Sequence, residues 1–131
     1  MMNEIDNLKI EIRPLIPNAL VNDSMSFEEQ FQNITLRPII KLQHDLIFQI
    51  IKNHFVITKF KFENLSIEKK KHFIENTLLK DVGLQNELKG IIIAFFTKDE
   101  FNAYSKSINN VNKRIFGIIK ERIISNLSEL R

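Results

Sequence analysis

TLRPIIKLQHDLIFQIIKNHF, residues Thr35–Phe55, decides the fold. At 100° per residue, Leu36, Ile39, Ile40, Ile47, Ile50 and Ile51 fall on one side. Arg37, Lys41, Asp45, Gln49 and Lys52 fall on the other. That division is the apolar stripe of a core-facing helix. Thr35 suits the N-cap, its hydroxyl accepting a free backbone N–H. Pro38 then falls in the first turn, where a missing N–H costs little.

Three residues interrupt the stripe. Gln43 and His54 project near its centre, and His44 sits on its edge. A buried polar group left unpaired costs about 1–3 kcal/mol, so each calls for a partner. Two readings follow: satisfied core or rim groups, or the lining of a polar pocket inside a bundle.

The remaining segments read as partners for this helix. Ser26 and Glu29 have capping-box spacing and start a short turn leading into it. Ser66 caps a second helix, Ile67 to about Lys80, with Ile67, Ile74 and Leu78 as its apolar face and Phe73 to one side. A third runs from about Leu84 to Phe96, with a stripe of Leu84, Leu88, Ile91, Ile92 and Phe95 and with Ile93 opposite. Apolar residues on both sides imply burial from two directions or a subunit interface. Gly90, which costs about 1 kcal/mol mid-helix relative to Ala, implies the close approach of another helix. Thr97-Lys98-Asp99-Glu100 is a full capping box. It opens a fourth helix reaching about Leu127, striped by Phe101, Tyr104, Ile108, Val111, Ile115, Ile119 and Ile123, with Asn112 inside the stripe. At 1.5 Å per residue it is about 45 Å long, against about 30 Å for the central helix. The excess bends, near Gly117, or projects as a dimer surface.

Upstream, Leu8 to Arg13 alternates apolar and polar, the period of a strand, and Pro14 and Pro17 stop it. A lone strand needs a partner. Val56 to Phe62 is one candidate, and the same arm of a second subunit is another. The chain is therefore read as all-α: a single-domain four-helix bundle (residues 25–131) preceded by a short strand-like or irregular N-terminal arm (residues 1–24).

Composition narrows the function. The 131 residues suffice for one domain with one core. Eleven Phe against one Tyr and no Trp point to an Ile, Leu and Phe core. With no Cys there is no disulfide framework, thiolate nucleophile or Cys-based zinc site. The net charge of +3 is spread along the chain. Its densest run, Lys69-Lys70-Lys71 with Lys59 and Lys61 before it, reads as a solvated helix face, so a nucleic-acid partner is not expected. No apolar run approaches the roughly 18 residues of a membrane span, and MMNEIDNLK lacks a signal-peptide pattern. A cytoplasmic location with no membrane partner is the expectation.

Two stretches, FQNITLRPIIKLQHDLI from Phe31 and LKGIIIAFFTKDEF from Leu88, resemble a family of small uncharacterised bacterial proteins of similar length. The resemblance spans roughly Phe31 to Leu127. Family members usually begin near the FQN segment, which implies that residues 1–24 are an addition. Some members carry a glyoxalase label. This chain has neither the strand-borne His and Glu ligands of glyoxalase I nor the dense His-x-His-x-Asp-His motif of glyoxalase II, and no active-site residue carries over.

Catalytic motifs are likewise missing. His44 and His54 stand about 15 Å apart along the helix axis, too far to share an ion. Glu68 and His72 have i, i+4 spacing but lie beside the lysine run on an exposed face. There is no Gly-x-Ser-x-Gly elbow and no phosphate-binding glycine loop. No catalytic residue, metal or cofactor is assigned. The leading expectation is a non-enzymatic interaction domain, a homodimer or the binder of a protein partner, associating through surplus apolar helix surface. The alternative is a bundle holding a small apolar or polar ligand among Gln43, His44, His54, Tyr104 and Asn112. The expected core is Ile39, Ile40, Ile47, Ile50, Leu78, Leu88, Ile91, Phe95, Tyr104, Ile108, Val111 and Ile115.

Overall fold

The computed structural model describes residues 2–16 and 21–130, and among them every regular element is helical. In order these are α1 (Glu4–Glu11), α2 (Phe27–Phe31), α3 (Arg37–Leu42), α4 (His44–Thr58), α5 (Ile67–Asn76), α6 (Val82–Ile93), α7 (Lys98–Ser105) and α8 (Ile108–Ser125). Short 3-10 turns follow α4, α5 and α8 at Phe62–Asn64, Leu78–Lys80 and Leu127–Leu130. None of the helices is long and apolar enough to cross a membrane.

The central stretch is helical but begins earlier than its apolar stripe suggests. Ser26, not Thr35, is the cap, accepting the Glu29 N–H at 3.2 Å. The backbone then winds without a stop from α2 through a wide π turn, Gln32–Leu36, into α3. Pro38 explains the wide turn. Its ring crowds the carbonyl four residues back and it has no N–H to offer there, and a π turn opens the backbone at that point. Thr35 is thereby placed inside the helix, with its hydroxyl free to bond elsewhere. A second break falls at Gln43, whose φ of −92° and ψ of 10° separate α3 from α4. Its side-chain amide donates to the Ile91 carbonyl of α6 at 3.1 Å, tying this bend to the neighbouring helix.

The core gathers around that bend. Leu36, Ile39, Ile40, Ile47, Ile51, Ile74, Leu88, Ile92, Val111, Ile115, Ile119 and Ile123 have no exposed surface. Leu78 and Tyr104 are buried with them, as the sequence predicts. Ile50, Ile91 and Phe95 are only partly buried against the cluster. Ile108, predicted to be core, is 45% exposed because it opens α8 immediately after a break.

Four further expectations are corrected. The fourth helix is divided at Lys106–Ser107 rather than bent at Gly117, so no long apolar end projects. Gly90 has no atom within 4 Å of where a Cβ would stand, so no close helix approach requires it. The second helix ends at Asn76 and leaves Ile67 exposed. The N-terminal arm is helix α1, not a strand, and its proposed strand partner from Val56 is the end of α4. Pro17, the second proposed stop of that strand, lies outside the described residues.

α4 finishes at Lys59, whose φ of 57° is left-handed, with the Phe60 N–H returning to the Phe55 carbonyl at 2.9 Å. This is a helix stop of the kind usually given to glycine. The reversal swings Phe60 back onto a ring cluster of Phe55, Phe60, Phe62 and Phe73, with centroids 4.5 to 6.1 Å apart.

Candidate functional sites: an inverted helix and an arginine pocket

α1 is attached by its polar face. Asn3 caps it by accepting the Asp6 N–H at 2.8 Å, with Glu4 and Asp6 in the first turn and Lys9 in the last, the charge order a helix dipole favours. Asp6, Lys9 and Arg13 recur at i, i+3 and i+7 and so share one side. All three reach the corner between α6 and α7. Lys9 Nζ donates to the Phe96 carbonyl at 3.0 Å and Arg13 Nη2 to the Phe95 carbonyl at 2.9 Å. Asp6 accepts the Lys98 N–H at 3.3 Å. Cations thus meet the carbonyls beyond the end of α6, and an anion meets the first turn of α7.

Glu100 is the hub of this corner. Its Oε1 accepts the Thr97 N–H at 2.8 Å while Thr97 Oγ1 accepts the Glu100 N–H, completing the predicted capping box. Arg13 grips both carboxylate oxygens, at 2.6 and 2.8 Å, and the Thr35 hydroxyl donates to Oε2 at 2.8 Å. The pair is well shielded, with side-chain exposures of 6% for Arg13 and 15% for Glu100. Burial pushes the Glu100 carboxyl upward. The Arg13 hydrogen bonds, the Thr97 N–H, the Arg13 charge and the Thr35 hydroxyl outweigh it, and the net shift is below the ordinary value.

The consequence is that the apolar side of α1 faces outward. Ile5 is 65% exposed, Leu8 51% and the C-cap Ile12 49%, and Leu15, in the non-helical chain beyond, is 86% exposed. Glu4 and Glu11, both exposed, run along one edge of this stripe.

The five residues singled out as pocket candidates fall into separate contacts. Tyr104 Oη donates to Asn112 Oδ1 at 2.7 Å, bridging α7 and α8. Burial raises the Tyr104 hydroxyl pKa, and the Asn112 contact opposes that rise. Gln43 is committed to Ile91. His54 lies beside the Phe55 ring at 6.4 Å, near the end of α4. His44 stacks on Phe48 at 4.4 Å and joins two charged groups. Arg122 Nη1 meets its Nδ1 at 3.2 Å, and Glu129 Oε1 meets its Nε2 at 2.9 Å.

That trio fixes the imidazole tautomer. A guanidinium only donates, so Nδ1 accepts and Nε2 carries the proton given to Glu129. His44, Asp45 and Glu129 bring ligand atoms within 4.8 Å of one another. A histidine that ligates a metal usually gives its second N–H to an acceptor. Here the second nitrogen faces a donor, so the arrangement orients Arg122 rather than preparing a cation site.

Arg122 in turn lines a pocket of about 240 Å³ with Arg37, Ile118, Glu121, Ser125 and Asn126. Burial pulls its guanidinium below the ordinary range; Glu129 opposes this and the nearby Arg37 charge adds to it. Its Nε is buried and meets no acceptor among the described residues. A second groove, of about 400 Å³, is lined by Lys52, Phe55, Val56, Lys59, Phe60, Lys61, Glu63 and Leu130. Of the lysine run, Lys70 sits 5.5 Å from the Phe62 ring, while Lys69 and Lys71 are exposed on α5.

Sequence reasoning missed Arg13, Glu100 as more than a cap residue, and the pairing of Arg37 with Arg122. The signal for Arg13 was present as the i, i+3, i+7 recurrence of Asp6, Lys9 and Arg13, masked by the period-two run of Leu8, Ile10 and Ile12. No protein-family model, curated protein or solved structure matches the chain.

Proposed function

We propose that the chain is a non-enzymatic interaction domain, a four-helix bundle in its core, that pairs with a second copy of itself through the outward face of α1. The observation that carries this reading is the inversion of α1, in which Asp6, Lys9 and Arg13 are spent on the body while Ile5, Leu8 and Ile12 face the outside, with exposed Leu15 just beyond the helix. A contiguous exposed apolar stripe held on a fixed support is the usual mark of an association surface. The resemblance to the family of small bacterial proteins belongs to the same reading, and so does a cytoplasmic location. A ligand pocket among Gln43, His44, His54, Tyr104 and Asn112 draws less support, because Tyr104 and Asn112 satisfy each other and Gln43 spends its amide on Ile91.

Native mass spectrometry of the purified chain tests this. The wild type is expected as a dimer. The Leu8→Glu/Ile12→Glu variant is expected as a folded monomer, because both positions are exposed and neither touches the Arg13–Glu100 tie. Ile67→Glu, equally exposed on α5, is expected to leave the dimer intact. A dimer that survives the α1 double substitution overturns the assignment of the surface. A wild-type monomer favours a second reading that rests on Glu4 and Glu11: they border the stripe and suit a partner carrying basic residues beside apolar ones.

A further inference from the structure

We propose that the pocket between Arg37 of α3 and the last turns of α8 binds a small oxyanion with two negative charges, a phosphate group in particular. The inference is independent of the α1 surface and uses none of its residues.

Two guanidiniums border one pocket of about 240 Å³, and among the described residues neither is ion-paired with a carboxylate, the Glu129 charge reaching Arg122 only across His44. Arg37 uses its Nε on the Asn33 side chain at 3.2 Å, which leaves its terminal nitrogens available. Arg122 gives one terminal nitrogen to a neutral imidazole, and its buried Nε meets no acceptor. Like charges brought together in partial burial cost energy unless an anion sits with them. The guanidinium fork is shaped for two oxygens of a phosphate or carboxylate.

Three features narrow the class. Ser125 and Asn126 line the same pocket with neutral groups able to donate. Ile118 supplies the apolar wall, so the space exceeds what a bare ion needs and leaves room for a compact organic group. Two fixed positive charges match a dianion better than a single carboxylate, which would leave one uncompensated. The hydrogen bonds from Glu129 through His44 to Arg122 hold the guanidinium in place, and the Glu129 charge offsets part of its own. His44 is accordingly a positioning residue. Glu121 also lines the pocket, is exposed, and opposes an anion. Its removal therefore supplies a test with the opposite sign.

The experiment titrates the full chain with inorganic phosphate at constant ionic strength, following the arginine Nε–H resonances and the heat of binding. Sodium chloride and succinate serve as the comparison anions. Saturable phosphate binding is expected, with shifts at Arg37 and Arg122 that chloride does not reproduce. Arg37→Gln is expected to weaken it about tenfold, the loss of one charge-assisted contact. Glu121→Gln is expected to tighten it about twofold, the relief of one exposed like charge. Phosphate shifts no larger than those from chloride overturn the site. Saturation by succinate without phosphate overturns the phosphate assignment. Should Arg37→Gln fail to fold, Glu121→Gln decides alone, and unchanged or weaker binding in it overturns the proposal.

Discussion

Arg13 and Arg122 share one feature and differ in everything else that matters. Each has a buried Nε with no acceptor among the described residues. Arg13 is locked: its terminal nitrogens hold both oxygens of Glu100 and one backbone carbonyl. Arg122 is open: it leans on an imidazole, faces a second arginine's charge and borders a pocket. The first arrangement is what a guanidinium looks like when it fastens one element to another. The second resembles it in burial but not in charge balance. Burial of a cation therefore separates a structural role from a binding role only when its counter-charge is counted as well.

Glu100→Ala should have the largest effect on this contrast. It removes the bidentate partner of a guanidinium that is 6% exposed, together with the acceptor of the Thr97 N–H and the Thr35 contact. Leaving one member of a buried pair alone costs about 3 kcal/mol or more, and the lost bond from the Thr97 N–H adds about 1 kcal/mol. Urea denaturation should show the whole deficit. A loss under about 1 kcal/mol would mean that the pair behaves as an exposed one and that α1 is only loosely attached.

Acid titration sharpens the same point. The folded-state pKa of Glu100 lies below the ordinary 4.5. Above 4.5 the carboxylate is charged in both folded and unfolded chains, and its stabilisation is fully present. As pH falls below 4.5 the unfolded chain takes up the proton first. The stabilisation then drains until the folded value is passed. Denaturation midpoints followed downward from pH 6 should fall more steeply for the wild type than for Glu100→Gln. Parallel curves would remove Glu100 from the acid response.

How much of the contrast could be read beforehand depends on where each partner lies. The capping box was legible because Thr97 and Glu100 are three residues apart and each bonds the other's backbone. The core stripe was legible because Ile39, Ile40, Ile47, Leu88, Val111 and Ile115 repeat at helical spacing whatever they pack against. The breaks were not. Gln43 bends its helix where its amide finds the Ile91 carbonyl 48 residues on. α1 was misread because six residues of period two fit a strand, and the evidence for helix lay on its polar side. Three of its four partners there are backbone groups that bear no mark in the sequence, at Phe95, Phe96 and Lys98. The Arg37–Arg122 pocket was invisible for the same reason, since residues 85 apart in the chain meet only once α3 and α8 are packed.

Between the two extremes stands Tyr104. Its hydroxyl bonds Asn112 alone, with no charge on either side. Tyr104→Phe should cost about 1 kcal/mol by thermal or urea denaturation, the ordinary net value of a neutral hydrogen bond. The amide left behind on partly exposed Asn112 can turn to solvent, which caps the loss. A cost near that of Glu100→Ala would show instead that Tyr104 and Asn112 belong to a larger polar network and would revive a pocket around them.

Arg122→Met should have the smallest effect, and its sign is informative. The substitution keeps much of the side-chain volume and discards the charge. At Arg13 the same change would strand Glu100 and be destabilising by about 2–3 kcal/mol. At Arg122 no carboxylate is stranded, because Glu129 keeps the His44 Nε2–H and is itself largely exposed. What disappears is a desolvated cation, an unbonded Nε and the repulsion from Arg37. Against these stands the lost hydrogen bond to Nδ1 of His44, whose half-buried ring keeps its stack on Phe48. The balance should lie within about 1 kcal/mol of zero, with stabilisation the expected direction in phosphate-free buffer. Added phosphate should then raise the melting temperature of the wild type and leave Arg122→Met unmoved, so that the variant loses its advantage as phosphate rises. A large destabilisation in phosphate-free buffer would place Arg122 with Arg13, as a fastening of the fold, and dissolve the distinction between the two.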